Sequence, residues 1–154
     1  MVETTLSGAS HHILTNDYAS EWMGIEVLKV DDGHATIRMH LRQEMLNGFG
    51  MAHGGMIFAF GDTAFALACN PANPTPKQAA NITVASGVDI NFIKPAFKGQ
   101  VITAVANRRA STGRSGLYDI QIYAATPDDK AAPDTEPGEL IAEFRGRSRT
   151  ISKK

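Results

Sequence analysis

Residues 45–70 read MLNGFGMAHGGMIFAFGDTAFALACN and decide the fold of this chain. A polar turn rich in glycine leads into a stretch that is almost wholly apolar from Gly55 to Ala68. An apolar run of this length that stops before prolines predicts one long buried helix over residues 55–70. Its one charged side chain is Asp62. A carboxylate on a buried helix costs free energy unless it is paired or hydrogen-bonded, so chemistry is one reason for its presence.

A hairpin precedes this helix and further strands follow it. Alternating apolar residues predict strands over residues 25–30 and 34–41, joined by an Asp-Asp-Gly turn at residues 31–33. Asn16 is expected to cap a short helix that ends at Met23. After a proline-rich loop the same kind of pattern predicts four more strands, over residues 82–93, 101–110, 117–124 and 140–151. This order predicts an α+β fold in which one antiparallel sheet wraps a single long helix.

Length and composition bound the class of protein. The 154 residues suit one domain, which we assign to residues 15–152 after a flexible N-terminal tail over residues 1–14. A net charge of −1 gives no electrostatic footprint for nucleic acid or for an anionic membrane. Cys69 is the single cysteine, which excludes an intramolecular disulfide and a multi-cysteine zinc site, and we expect no metal. The sequence shows neither an apolar span of membrane length nor a signal peptide, so a cytoplasmic location is expected.

Two glycines mark the point where the turn becomes the helix. The first backbone N–H groups of a helix have no intrahelical partner, and the helix dipole is positive there. Gly54 and Gly55 let a ligand approach these groups closely, so this end suits an anion or a polarised carbonyl oxygen. The alternative is structural, because two glycines also permit a tight turn against the sheet.

Asp62 lies too far along the helix to serve the same reaction centre as Gly54 of its own chain. Eight residues at 1.5 Å each separate the two by about 12 Å, whereas reacting atoms must approach to roughly 3–3.5 Å. If both groups act on one substrate, they come from different chains. Two antiparallel helices would bring each Asp62 near the other chain's Gly54. The spacing therefore predicts a homodimer with two composite sites.

His53 and Asn47 are further candidate site residues. His53 precedes the helix and could orient a substrate, although a structural, hydrogen-bonded histidine is the alternative. Asn47 stands in a Leu-Asn-Gly-Phe turn and is typical of loop stabilisation. Its amide could instead position a water molecule or an acyl oxygen.

The sequence resembles a known family at these residues. Asn47, the run His53-Gly54-Gly55 and the run Asp62-Thr63-Ala64 are similar to the acyl-CoA thioesterases of the hotdog superfamily, and most closely to the phenylacetate-degradation (PaaI-like) branch. The likeness covers about residues 15–152. It extends to the third strand with its exit at residues 90–95, and to the last strands at residues 116–120 and 144–148. Gly61 departs from the family pattern, in which we expect alanine or another small residue just before the aspartate.

The resemblance implies a hotdog fold and hydrolysis of an acyl-CoA thioester without a separate cofactor. It implies that the Gly54 amide polarises the thioester carbonyl, and that Asp62 of the partner chain is the nucleophile or the general base. Asn47 and His53 would support the water and the loop, and Gly55 and Thr63 would contact the substrate. A serine or threonine on the third strand holds the water in some relatives, and here Thr83 and Ser86 are both candidates. It also implies a dimer and often a dimer of dimers, hence a homotetramer.

The substrate is less well defined than the reaction. The resemblance suggests an aryl-acetyl group such as phenylacetyl or hydroxyphenylacetyl. The phenylalanines on and before the helix could line its pocket, although an ordinary place in the core is the alternative for each of them. The phosphates of coenzyme A need cations, and Arg108, Arg109 and Arg114 flank the turn at residues 111–113. For any one of these arginines, a solvated charged surface is the alternative.

Two other functions compete with hydrolysis. A hotdog hydratase or dehydratase uses a histidine and a carboxylate to move a proton and water across an acyl thioester, and His53 with Asp62 could form that pair. A non-catalytic acyl-CoA-binding module could also keep the fold. Such a module needs no buried carboxylate, so Asp62 argues against it.

Overall fold

The long apolar segment forms the central helix, α2 (Gly54–Cys69). The computed structural model describes residues 10–127 and 137–153. In it, α2 begins one residue before the predicted start because His53 acts as the N-cap, and it ends at Cys69 because Asn70 turns to an extended conformation. Ile57, Phe60, Ala64 and Phe65 on this helix are buried.

A six-stranded antiparallel sheet wraps this helix. The strand order is β1-β2-β4-β5-β6-β3, so β1 and β3 are its edges. In chain order the elements are α1 (Tyr18–Met23), β1 (Glu26–Asp31), β2 (His34–His40), α2 (Gly54–Cys69), α3 (Pro76–Ala79), β3 (Asn81–Phe92), β4 (Val101–Thr112), β5 (Ser115–Ala125) and β6 (Glu139–Ser152). The predicted α+β architecture, with one sheet around one long helix, is confirmed.

The core lies between α2 and the concave face of the sheet. Phe60 and Phe65 pack there with Phe144 of β6 and Ile122 of β5, and all four are almost fully buried. Gly61 is required by this packing, because a Cβ at that position would lie 2.9 Å from Phe144 Cδ2 and 3.1 Å from Ile122 Cδ1. The departure from the family pattern at residue 61 therefore has a local steric cause.

The N-terminal boundary differs from the prediction. His11 is buried, and its Nε2 lies 2.8 Å from the Asn70 carbonyl oxygen. A short 3₁₀ turn follows at His12–Leu14, and Leu14 joins the core. These residues belong to the packed domain and not to the tail predicted over residues 1–14; residues 1–9 of that range lie outside the described part of the chain.

Two local predictions near the helices need correction. Asp17, and not Asn16, caps α1, because its carboxylate accepts from the Ser20 N–H (3.0 Å). Asn16 instead adopts a left-handed conformation with φ of 64°. The proline-rich loop contains the short helix α3, which Thr75 and Gln78 start as a capping box. The segment between β5 and β6 lies largely outside the described residues.

Candidate active site

The cap of α2 decides which backbone amides remain available at its N-terminus. His53 Nδ1 accepts a hydrogen bond from the Gly55 N–H (3.2 Å), and the His53 carbonyl accepts from Met56 and Ile57 (2.9 and 3.1 Å). Gly55, which the sequence assigned to substrate contact, thus donates its N–H within the chain. The Gly54 N–H has no acceptor among residues 10–127 and 137–153, so it can donate to a ligand.

Gly54 lies against the ring of Phe92 on β3. A Cβ at position 54 would come within 3.3 Å of Phe92 Cζ, so glycine permits this close approach. An apolar cavity of about 330 Å³ adjoins both residues, and its walls include Met51, Ile57 and Ile141. A carbonyl held by the Gly54 N–H would have its substituent beside this space, which suits an apolar acyl group.

Asn47 builds the turn in front of the helix. Its Oδ1 accepts hydrogen bonds from the N–H groups of Phe49 (2.9 Å) and Met51 (3.1 Å). The His53 N–H in turn donates to the Met45 carbonyl (2.8 Å), which closes the loop. The Asn47 Nδ2 group donates to no acceptor within the part of the chain that the structure describes. The residue therefore supports the loop through its oxygen and keeps its amide N–H groups for another partner.

Asp62 sits half-buried on α2. Neither a hydrogen bond nor an ion pair reaches its carboxylate from the described residues. Burial raises its pKa above the ordinary value for aspartate. It shares one helix face with Phe58 and Cys69, and Phe58 packs against Phe144 with ring centroids 5.5 Å apart. Cys69 is partly buried, and burial, with the charge of Asp62 adding to it, raises the pKa of its thiol to about 12.

The hydroxyl candidates are held by contacts within the chain. Thr63 Oγ1 lies 3.1 Å from Ser20 Oγ on α1. Thr83 Oγ1 lies 2.8 Å from Thr150 Oγ1 on β6. Ser86 donates its hydroxyl proton to the Arg147 carbonyl (3.1 Å) and is exposed beside a bulge in β3. The structure brings none of the three to Gly54 of the same chain.

The three arginines flanking the β4–β5 turn differ in their surroundings. Arg108 makes two 3.1 Å hydrogen bonds to the Asp32 carboxylate. Arg109 lies 3.4 Å from Asp119, which Arg145 also contacts. No carboxylate of the described residues pairs with Arg114.

Two residues that the sequence did not single out also shape the site. Phe92 forms the wall over Gly54, and Asn70 ties the end of α2 to β3 through Thr83. Both act through contacts between segments far apart in sequence, so no spacing within the helix motif points to them. An asparagine just after an apolar helix is a recognisable end signal, yet it does not reveal its strand partner.

The described residues carry neither a group of histidine, cysteine and acidic side chains that could hold a metal nor a helix long and apolar enough to cross a membrane. The cytoplasmic location stays a prediction.

Comparison with known proteins identifies the family. The model of the thioesterase superfamily matches residues 49–131 of this chain, which is more than half of its length. The chain belongs to the thioesterase superfamily. Its sequence is 34% identical over 142 residues to the acyl-coenzyme A thioesterase PaaI of Escherichia coli (strain K12), covering 92% of this chain and 89% of that protein.

Solved structures agree with this assignment. The fold is similar to that of the E. coli PaaI protein from the phenylacetic acid degradation operon, with a TM-score of 0.76 at 33% identity over 93% of this chain and 91% of that one. It is also similar to a variant of the phenylacetic acid degradation protein PaaI of Thermus thermophilus, with a TM-score of 0.71 at 27% identity over 86% and 98% of the two chains. The hotdog fold, the PaaI-like resemblance and the assignment as a thioester hydrolase are confirmed.

Proposed function

We propose that this thioesterase hydrolyses acyl-CoA thioesters at a site shared between two copies of the chain. One observation carries the proposal: among the described residues neither the Gly54 N–H nor the Asp62 carboxylate has a partner, and the two groups lie about 12 Å apart along α2 at 1.5 Å per residue. Neither group completes a reaction centre within its own chain. Placed across a dimer, each completes the other.

The proposed reaction follows from these two groups. The Gly54 N–H donates to the thioester oxygen and stabilises the oxyanion that forms there. Asp62 of the partner either attacks the carbonyl carbon itself or takes a proton from the water that attacks it. The C–S bond then breaks, and the coenzyme A thiolate leaves and takes up a proton. Where Asp62 is the nucleophile, the acyl group stays on its carboxylate as an anhydride until water hydrolyses that bond and frees the acid. His53 and Asn47 hold the loop that presents the Gly54 N–H.

The acyl group that we propose is aryl-acetyl, such as phenylacetyl. The cavity beside Gly54 is apolar, and the Phe92 ring offers an aromatic group a surface for packing. The name and the operon of the E. coli relative support the same class. A panel of aryl-acetyl and linear acyl-CoA thioesters, read by thiol release, tests this. A kcat/KM for phenylacetyl-CoA no higher than for linear acyl-CoAs contradicts it.

Two substitutions test the roles of the catalytic groups. Asp62→Asn removes the carboxylate at constant shape and is expected to lower kcat about 10²–10⁴-fold. Gly54→Pro removes the N–H at a position where proline is tolerated, and the extended conformation of His53 (φ −63°, ψ 132°) accepts a following proline. Gly54→Ala is the matched control, since it adds the same Cβ against Phe92 but keeps the N–H. Full activity of folded Asp62→Asn would overturn the mechanism.

Mixing the two inactive variants tests whether the site is shared. A heterodimer of Asp62→Asn and Gly54→Pro chains has one site with both groups intact. Random exchange of subunits should therefore restore about a quarter of the wild-type rate. A site built within one chain would recover nothing. The dimer of dimers implied by the resemblance stays a prediction, and native mass spectrometry measures it.

For the phosphates of coenzyme A we propose Arg114 and Arg149. Arg149 faces Ser115 across the β5–β6 ladder, and the Arg114 carbonyl accepts from the Thr150 N–H (2.8 Å), so the two residues are neighbours along the backbone. Among the described residues neither has a carboxylate partner, unlike Arg108 and Arg109. Arg149→Gln should raise KM for acyl-CoA but not for acyl-pantetheine, which lacks the nucleotide. Arg109→Gln is the control, and equal effects of both variants contradict the assignment.

A further inference from the structure

Asp62 depends on the placement of α2 for the direction of its carboxylate. Neither a hydrogen bond nor an ion pair from the described residues holds this group. At the N-terminus of α2, Gly54 packs on Phe92. At the C-terminus, the Asn70 side chain binds the Thr83 backbone. Gly54 and Asn70 are each eight residues from Asp62, so the middle of the helix needs contacts of its own to give the carboxylate a fixed direction.

The residues just before and just after Asp62 are held from opposite sides of the helix. Gly61 faces the sheet so closely that a Cβ there would lie 2.9 Å from Phe144 Cδ2. Thr63 contacts α1, where its Oγ1 lies 3.1 Å from Ser20 Oγ. At 3.6 residues per turn, Gly61 and Thr63 are about 200° apart around the helix axis. Asp62 therefore lies between a contact with the sheet and a contact with α1.

The hydrogen bonds of Ser20 show which way the protons of this contact point. The Asp17 carboxylate accepts from the Ser20 hydroxyl (2.7 Å) through one oxygen and from the Ser20 N–H (3.0 Å) through the other. A hydroxyl has one proton to donate, and an ionised carboxylate has none. Ser20 Oγ must therefore accept from the Thr63 hydroxyl. The proton of Thr63 is committed to Ser20 and is not available to a substrate.

Ser20 is itself held firmly enough to serve as an anchor. It is 1% exposed, and its carbonyl accepts from the Ile25 N–H (3.2 Å). Its N–H, hydroxyl and carbonyl are thus all hydrogen-bonded. Met23 at the end of α1 and Ile25 behind it both belong to the hydrophobic core. α1 is therefore attached to the core independently of its contact with Thr63.

We infer that Ser20 is a positioning residue of the thioesterase reaction, which holds α2 through Thr63 so that Asp62 keeps the direction needed at the partner's site. This inference rests on the shared site proposed above. A helix with its side chains is about 10–12 Å across, so the carboxylate lies about 5–6 Å from the axis. A rotation of α2 by about 10° moves it by about 1 Å. A displacement of about 1 Å in an active site can lower the rate about 10²-fold.

Ser20→Ala tests the inference, because it removes the hydroxyl and leaves the N–H that Asp17 caps. We expect kcat to fall about 10–100-fold, with KM for phenylacetyl-CoA changed less than about 2-fold. KM should hold because no residue of α1 lines the cavity beside Gly54. Ser148→Ala is the matched control, since it removes another buried hydroxyl, on β6, and should keep the wild-type kcat. Circular dichroism and light scattering establish that each variant is a folded dimer.

A double variant separates positioning from a general effect on the fold. If Ser20 acts through the Asp62 carboxylate, Ser20→Ala should not lower the residual rate of Asp62→Asn any further. Single-turnover kinetics with enzyme in excess measure this slow rate. A role of Ser20 in the fold alone would lower the rates of wild type and of Asp62→Asn by the same factor. Equal factors in the two backgrounds would therefore overturn the inference.

Thr63 provides a second route to the same test if Ser20→Ala does not fold. Thr63→Val removes the hydroxyl at similar shape and leaves the bonds between Asp17 and Ser20 intact. It should lower kcat as Ser20→Ala does, and Thr63→Ser, which keeps the hydroxyl, should lower kcat less. A folded Ser20→Ala or Thr63→Val dimer with wild-type kcat overturns the role of Ser20 but not the shared site. Full activity of Asp62→Asn overturns the proposed function itself.

Discussion

Gly61→Ala tests whether the packing around α2 outweighs helix propensity. In a helix interior this change ordinarily stabilises a protein by about 1 kcal/mol. Here the new Cβ would lie 2.9 Å from Phe144 Cδ2 and 3.1 Å from Ile122 Cδ1. Both neighbours are almost fully buried, and Phe144 is also held by the rings of Phe58 and Phe65, so neither can retreat. Overpacking of this kind costs ~1–3 kcal/mol.

The expected balance is a loss of about 0–2 kcal/mol in the free energy of unfolding, in place of the usual gain. Guanidinium denaturation at fixed protomer concentration measures it, since dissociation would otherwise enter the result. Phe144→Leu removes the ring that blocks the new methyl group. In a double-mutant cycle the Gly61→Ala substitution should cost less in that background. A Gly61→Ala protein more stable than wild type by about 1 kcal/mol would refute the steric reasoning.

Three further perturbations probe the site. Burial raises the pKa of Asp62, so the folded state binds the carboxyl proton more tightly than the unfolded chain does. The stability that this proton contributes is lost as the pH rises through the folded-state pKa of Asp62. Asp62→Asn should therefore raise Tm at pH 7 and leave Tm unchanged below the ordinary pKa value of 3.8. Equal Tm shifts at both pH values contradict this. Asn70→Ala leaves the Thr83 N–H and carbonyl without their partner, so it should cost about 1–3 kcal/mol of stability in chemical denaturation. We expect kcat to fall by a larger factor than KM changes. A change in KM alone would contradict a role of Asn70 in placing α2 against β3. Phe92→Ala should lower kcat/KM for phenylacetyl-CoA roughly 10-fold while acetyl-CoA turnover changes little. An equal loss for both substrates would contradict a contact between the Phe92 ring and the acyl group.

The elements of the fold were predictable because their signals are local. The apolar run placed α2 to within one residue at each end, and alternation located all six strands. Where two local signals competed, prediction failed: Asn16 and Asp17 are both good caps, and only the orientation of the chain decides that Asp17 binds Ser20. His11 likewise looked like part of a tail because its partner, the Asn70 carbonyl, lies 59 residues away in sequence.

The site was predictable in part for the same reason. Gly54 and Asp62 share one helix, so the distance between them follows from helix geometry alone. The surroundings of the arginines do not follow from local geometry, because Asp32, which binds Arg108, is 76 residues away in sequence. Gly55 shows a third case, in which the free amide expected at the helix start is taken by the cap next to it.

The protonated state of Cys69 bears on how the enzyme can be measured. Disulfide reagents that report released coenzyme A react with thiolates and not with thiols. With a pKa of about 12, the Cys69 side chain would be ionised at pH 8 in only ~1 molecule in 10⁴. Cys69 is also the single cysteine of the chain, so the colour that develops in such an assay counts product and not enzyme. Burial on the helix face that Asp62 and Cys69 share therefore keeps the thiol of the enzyme from adding to the signal of an assay that measures released coenzyme A.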